Sequence, residues 1–388
     1  MIFDFDREIE RTGTACLKFD RRLDYFGNDK VIPLWIADMD FAAPEAVTRA
    51  LAVRAAHPIY GYSYYPESLF EAFVAWLDRR FGWKIQREWI VMCPGVVPSL
   101  HAAILAYTQP GDGVIIQPPV YAPFFSSVEQ TGRRIAVNPL RLENGRYSFD
   151  LAHLRSCAEQ GARMLLLCSP HNPVGRVWTA AELTELLECC AHHGITIVSD
   201  EIHADLVYPG HQHLPLAMLA GNPANIITAA APSKTFNIPG LGLSVLVVPG
   251  KQQRVSLQQA FGTLQVGAAN PFSICAFEAA YRAGEPWLDS LLPYLDANRA
   301  YVKNFLSAMI PEIKLMQSQG TYLLWLDCNE MGMSDAQLKR FFIQEANVGL
   351  SPGILFGPQG SGFMRMNIGA PLHTIRTALE NIAQARRK

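Results

Sequence analysis

The stretch from MLLLCSPHNPVGR (164–176) through ITIVSDEIHADLVY (195–208) to NIITAAAPSKTFNIPGLGLSVLVV (225–248) decides how this chain folds. Each part begins on a short, nearly continuous apolar run and then breaks into small, polar and turn-forming residues. Apolar runs without polar alternation mark strands buried on both faces. Between the first two runs lies TAAELTELLECCAHH (179–193), whose apolar residues recur at helical spacing. Strands alternating with helices predict an α/β fold with a parallel, doubly wound sheet. VIIQ (114–117) and SVLVV (244–248) add further strands.

The C-terminal part changes character. LDANRAYVKNFLSAM (295–309) has a long helical pattern, YLLWLDC (322–328) reads as a strand, and a last helix runs into ARRK (385–388). This predicts a smaller α+β domain. Residues 1–45 are rich in turns and aromatics. At ~150 residues per domain, 388 residues predict two domains. The expected division is a large domain over 46–284 and a small one combining 1–45 with 285–388.

Composition narrows the function. Apolar residues make up 49% and charged residues 18%, which suits a globular protein with a sizeable core. The net charge is −2 and no Lys/Arg-rich run stands out, so neither nucleic acid nor an anionic membrane is expected as partner. MIFDFDREIE lacks the basic start and long apolar core of a signal peptide, and the expected location is the cytoplasm. The eight cysteines form no CxxC pair and read as buried thiols. His211 with His213, and His192 with His193, lack cysteine or carboxylate partners at ligand spacing, so no metal is expected.

In open parallel sheets, ligands bind beyond the carboxyl ends of the strands. Three polar residues fall there: Asn172 after MLLLCSPH, Asp200 at the end of ITIVSD, and Lys234 after NIITAAAPS. Taken singly, Asn172 also suits a turn, Asp200 a helix cap and Lys234 a solvated surface. Together they bring an amide, a carboxylate and an amine to one edge. Small, apolar, Gly-rich APSKTFNIPGLGLS (231–244) is unusual company for a surface lysine. A desolvated lysine has a depressed pKa and serves as a Schiff-base nucleophile. Gly95-Val96-Val97-Pro98-Ser99 leads into SLHAAILAY (99–107), and the N–H groups of a helix start suit a phosphate.

SPHNPVGR, SDEIHADLVY and APSKTFNIPGLGLS, in that order and spacing, resemble the fold-type I aminotransferase superfamily, which uses pyridoxal 5′-phosphate (PLP). PLWIADMDF (33–41) and YGYSYYP (60–66) resemble, more narrowly, the MalY/PatB-type C–S lyases, or cystathionine β-lyases. The resemblance spans essentially the whole chain. It implies that Lys234 holds PLP as a Schiff base, that Asp200 pairs with the pyridine nitrogen, and that Asn172 reaches the ring's 3-oxygen. His203 stands where many transaminases carry a tyrosine for that oxygen. Tyr121, in PPVYAPF, would stack on the ring. Gly95, Val96 and Ser233 would hold the phosphate, helped by Tyr62 of a second subunit, which implies a homodimer with shared sites. Arg365, in FMRMNIG, would grip the substrate α-carboxylate, with the Ala37 backbone assisting. One departure is Ala231, where many relatives carry a phosphate-binding serine. The implied reaction is β-elimination from cystathionine or a related L-cysteine S-conjugate. An amino-acid aminotransferase is the alternative on the same residues, and a lyase that also binds a regulatory protein is a third.

Overall fold

Seven short strands build the sheet that the apolar runs predict. The computed structural model describes residues 3–265, 267 and 270–387. In chain order the strands are β1 (Ile90–Cys93), β2 (Gly113–Ile116), β3 (Arg134–Val137), β4 (Ala162–Cys168), β5 (Thr196–Asp200), β6 (Ile226–Ala230) and β7 (Ser244–Val247). Their order in the sheet is β1-β7-β6-β5-β4-β2-β3. The pairs from β6 through to β3 are parallel, and β7 is antiparallel to both its neighbours. The reversal at β7 has a simple cause. A parallel return needs a crossover over one face of the sheet, whereas the segment between β6 and β7 turns back at the strand ends.

Both faces are covered, which explains the unbroken apolar runs. Along β4, Met164, Leu166 and Cys168 join one buried cluster while Leu165 and Leu167 join the other. The crossover from β4 to β5 is α1 (Ala180–His192). Thr179 and Glu182 close a capping box at its start, with Glu182 N–H donating to Thr179 Oγ1 (3.3 Å) and Thr179 N–H to Glu182 Oε2 (2.9 Å). The two strands absent from the expectation, β1 and β3, are the edges of the sheet. β3 alternates with solvent-facing positions and shows no apolar run, whereas β1 is a buried apolar run as short as β2 and β7 that lies outside the alternating stretch.

A second sheet holds β8 (Lys314–Leu315), β9 (Leu323–Asp327), β10 (Ser351–Pro352) and β11 (Phe363–Asn367), antiparallel throughout in the order β8-β9-β11-β10. Its helices include Glu285–Met309 and Leu372–Arg386. The first begins ten residues before the expected LDANRAYVKNFLSAM. Pro293 interrupts the pattern on paper, but the apolar stripe Trp287, Leu288, Leu291, Leu295, Val302 and Leu306 is buried along the whole length and outweighs it. Lys388, at the end of the expected last helix, lies outside the described residues. Ile32–Pro33 pairs in parallel with Val348–Gly349, tying the N-terminal segment to the C-terminal part. No helix among the described residues is long and apolar enough to cross a membrane.

Candidate active site

Register brings the site together. Cys168 pairs with Asp200, and Asp200 with Ala229, so β4, β5 and β6 end level with one another. Asn172 follows β4 by four residues, Asp200 is the last residue of β5, and Lys234 sits after β6 in the short helix Pro232–Thr235. From the end of β1 comes a helix over Val96–Tyr107 with Gly95 at its cap, three residues earlier than SLHAAILAY suggests. Its first N–H groups lack intrahelical partners and face the same edge. A cavity of about 270 Å³ opens there. Gly95, Val96, Tyr121, Asn172, Asp200, His203, Ser233, Lys234 and Ala37 all line it. Two predicted residues do not: Arg365 stands behind Asn172, and Tyr62 is fully exposed on the surface of this chain.

Burial sets the charges. Desolvation pushes the Lys234 amine down to about 8, against the pull of Asp38 and Asp200. It raises Asp200 to about 7, although the Ile202 N–H donates to Oδ1 (3.2 Å) and Lys234 lies nearby. It drops His203 to about 3, with Lys234 and Arg365 adding to the effect, so the imidazole is neutral. The buried Nδ1 of His203 has no hydrogen-bond partner among the described residues. Burial lowers Arg365 to about 10. Its guanidinium donates to Asn172 Oδ1 (3.1 Å), the Trp35 carbonyl (2.7 Å) and Ser351 Oγ (3.3 Å), and Nε has no partner. Among the described residues no carboxylate makes a salt bridge with it. A buried cation without a counter-ion is costly, which makes Arg365 a candidate partner for an anion.

PLWIADMDF acts as a strap across the site. The Trp35 carbonyl accepts from Arg365, those of Ile36 and Asp38 from Asn367 Nδ2 (2.6 Å each), and those of Met39 and Phe41 from Asn237 Nδ2 (2.9 and 2.8 Å). The Ala37 carbonyl takes Lys234 Nζ at 2.5 Å and Tyr322 Oη at 2.8 Å. A carbonyl oxygen cannot donate, so Ala37 has only its N–H to offer a carboxylate. The two aspartates of the motif hold the buried Lys18 and Arg11, with Lys18 Nζ 2.9 Å and Arg11 Nη1 2.5 Å from Asp40. Sequence reasoning missed Tyr322, Asn367 and Asn237. Asn367 stands two residues from Arg365 on β11 and is fully buried, but a single asparagine in an apolar strand gives no sign of what it binds.

These residues fit PLP. The neutral His203, the carboxylate of Asp200 and the uncommitted amide nitrogen of Asn172 offer the ring what its 3-oxygen and pyridine nitrogen need. The helix start at Val96 and the hydroxyl of Ser233 offer donors to a phosphate. A nucleophilic lysine between them, at the carboxyl edge of a mostly parallel sheet, defines a PLP-dependent enzyme of fold type I. A family model described as aminotransferase class I and II matches residues 29–382, and the chain belongs to that family. It is 43% identical over 384 residues to cystathionine β-lyase PatB of Bacillus subtilis (strain 168), covering 98% of this chain and 99% of that protein. It is 32% identical over 387 residues to protein MalY of Escherichia coli (strain K12), covering 99% of each. Cystalysin from Treponema denticola, solved with a pyridoxal 5′-phosphate cofactor, matches with a TM-score of 0.97 and 34% identity over 100% of this chain and 99% of that one.

Proposed function

We propose that this chain is a PLP-dependent carbon–sulfur β-lyase that cleaves cystathionine or a related L-cysteine S-conjugate to a thiol, pyruvate and ammonia. The full-length likeness to a cystathionine β-lyase carries this reading. The large part, 46–284, binds the cofactor, and the small part, 1–45 with 285–388, supplies the strap and Arg365.

When bound, PLP supplies an electron sink for the pair left on Cα. The chain supplies the rest. Lys234 would hold the cofactor through its ε-amine and would be the base nearest the substrate Cα once free. With its pKa lowered to about 8, a large share of the freed amine is neutral near pH 8 and able to take the Cα proton. Asp200 would hold a proton at the pyridine nitrogen, Asn172 would donate to the ring's 3-oxygen, and Tyr121, on the same cavity wall, would pack against the ring. Arg365 receives the α-carboxylate on Nε and its remaining N–H groups. That orients the Cα–H bond toward Lys234. With the Cα pair formed, a thiolate on Cβ leaves. Ser233 and the helix start hold the phosphate without help from Ala231.

Tyr62 belongs to the site of a second copy. Ile59, Tyr60, Tyr62 and Tyr64 form an exposed apolar arm that a homodimer would cover. All eight cysteines are free, which supports placement in the reducing cytoplasm. Binding of a regulatory protein rests on family resemblance, and a pull-down from the host tests it.

Purified enzyme is to be assayed with cystathionine and with cysteine, each with and without 2-oxoglutarate. Free thiol and pyruvate that form without the keto acid are the expected result. Glutamate that appears only with 2-oxoglutarate, with no thiol released, would establish an aminotransferase instead.

A further inference from the structure

Tyr322 is a buried residue that faces three groups of the site. Its hydroxyl donates to the Ala37 carbonyl at 2.8 Å, the same oxygen that takes Lys234 Nζ at 2.5 Å. Its ring meets that of His203 edge-on, centroids 6.1 Å apart at 68°. It does not line the cavity itself, so it acts through what it holds.

The turn that delivers Tyr322 is clamped from two sides. The N–H groups of Gln319 and Gly320 both donate to the Gly175 carbonyl (2.8 and 3.2 Å), on the loop that bears Asn172. From the segment after Asp200, Tyr208 N–H donates to the Gln319 carbonyl (3.0 Å), the Tyr208 hydroxyl to the Thr321 carbonyl (2.6 Å), and Thr321 N–H to the Leu206 carbonyl (2.7 Å). Thr321, a β-branched residue, has φ +67°. Such a conformation is strained and persists only where the surroundings over-determine it. The chain thus accepts strain next to Tyr322 while fixing its backbone to both loops that carry the site.

We propose that Tyr322 is a positioning residue for Lys234: its hydroxyl fixes the Ala37 carbonyl as the acceptor to which the ε-amine returns whenever it is not joined to the cofactor. The inference rests on the reading of Lys234 as the cofactor lysine. During turnover the substrate amine sets Lys234 free. As the Cα–H bond breaks, its proton goes to the neutral ε-amine and its electron pair stays on Cα. The ammonium so formed needs an acceptor within reach of Cα, and the Ala37 carbonyl is in place. Asn367 and Lys18 hold the neighbouring carbonyls of the strap, but at Ala37, among the described residues, only Tyr322 remains as a donor once Lys234 leaves.

The test is Tyr322→Phe, which keeps the ring against His203 and fills the same space. In cofactor-free protein, the rate of appearance of the visible PLP–lysine band after PLP is added is followed against pH. The midpoint should move to lower pH than in wild type, because the ammonium loses a fixed acceptor. In the PLP-saturated enzyme kcat should fall about tenfold, the weight of one well-placed hydrogen bond, with KM changed less than about twofold. The effect of Cα-deuterated substrate on kcat should grow. An unchanged midpoint together with an unchanged kcat overturns the proposal, and so does a raised KM with kcat intact. Lys234→Ala run in parallel keeps the two readings apart: if it still forms the band, Lys234 is not the cofactor lysine and the foundation fails, whatever Tyr322→Phe shows.

Discussion

Arg365 and Lys234 are cations that burial penalises, and they meet the penalty differently. Lys234 can shed its proton, and its pKa falls to about 8. A guanidinium lowered only to about 10 stays charged near neutrality and keeps an N–H without a partner. Arg365→Ala should therefore raise KM for the amino-acid substrate about 100-fold, since an anion loses its bidentate partner. Arg365→Lys should recover only part of this, because an ammonium lacks the planar fork. Steady-state kinetics checks both, and a KM unchanged in the alanine variant would free the carboxylate from Arg365. Asp200 carries the opposite burden. Its folded pKa is raised from 3.8 to about 7, so the cofactor-free protein bears a penalty that is full above pH 7 and fades as pH falls toward 4. Cofactor-free Asp200→Asn should thus be more stable than wild type at pH 8, by about 1–4 kcal/mol, with the gap closing on acidification. Denaturant melts of both proteins at several pH values measure it. A gap that widens on acidification would mean the carboxylate is stabilised, not penalised, by its surroundings.

At the scale of elements, legibility followed burial. β4, β5 and β6 stood out in the sequence because both their faces are covered, and their ends carry Asn172, Asp200 and the loop of Lys234. The edge strand β3 left no such trace, being short and partly solvated, and β1 is buried and apolar but only four residues long. The strap was readable as a motif but not as a device. Its contacts run through backbone carbonyls, which every residue possesses, so PLWIADMDF says nothing by itself about Lys234, Tyr322 or Asn367. Tyr322 was hidden for a related reason: its place depends on a turn fixed by the distant Gly175 and Tyr208. The departure at Ala231 is also a matter of local structure. Ala231 lines the cavity just before the helix that carries Ser233 and Lys234, so a hydroxyl added there would sit beside the proposed phosphate. Ala231→Ser should tighten PLP binding about three- to tenfold, the worth of one hydrogen bond to a charged acceptor. Titration of cofactor-free protein with PLP reads this directly, and equal affinity would place the phosphate out of reach of residue 231.

The whole molecule carries one feature that a single chain leaves unexplained. Val53, Ile59, Tyr60, Tyr62 and Tyr64 are all exposed, a run of apolar surface beyond what scattered exposure produces. The arm is anchored at its base, where Arg54 lies over the Tyr60 ring (5.4 Å) and Tyr60 packs near Phe272 (5.7 Å). Tyr62 itself touches no part of this chain's cavity, yet the family resemblance gives it a phosphate to bind. A two-fold symmetric dimer would reconcile the exposure with that role, because each chain would lend its Tyr62 to the other's site. The consequence is a complementation that no monomeric enzyme allows. Tyr62→Ala and Lys234→Ala should each be impaired as pure proteins, the first in cofactor retention and the second in chemistry. In a hybrid, the Tyr62→Ala subunit keeps its own Lys234 and receives an intact Tyr62 from its neighbour, so one of the two sites is complete. Random pairing should therefore restore about a quarter of wild-type activity when the two variants are co-produced in equal amounts. Purification through two different affinity tags isolates the hybrid and should double the recovered fraction. If hybrids confirmed by both tags stay inactive, or if Tyr62→Ala alone keeps full activity and cofactor, the sites are not shared and the exposed arm serves some other contact.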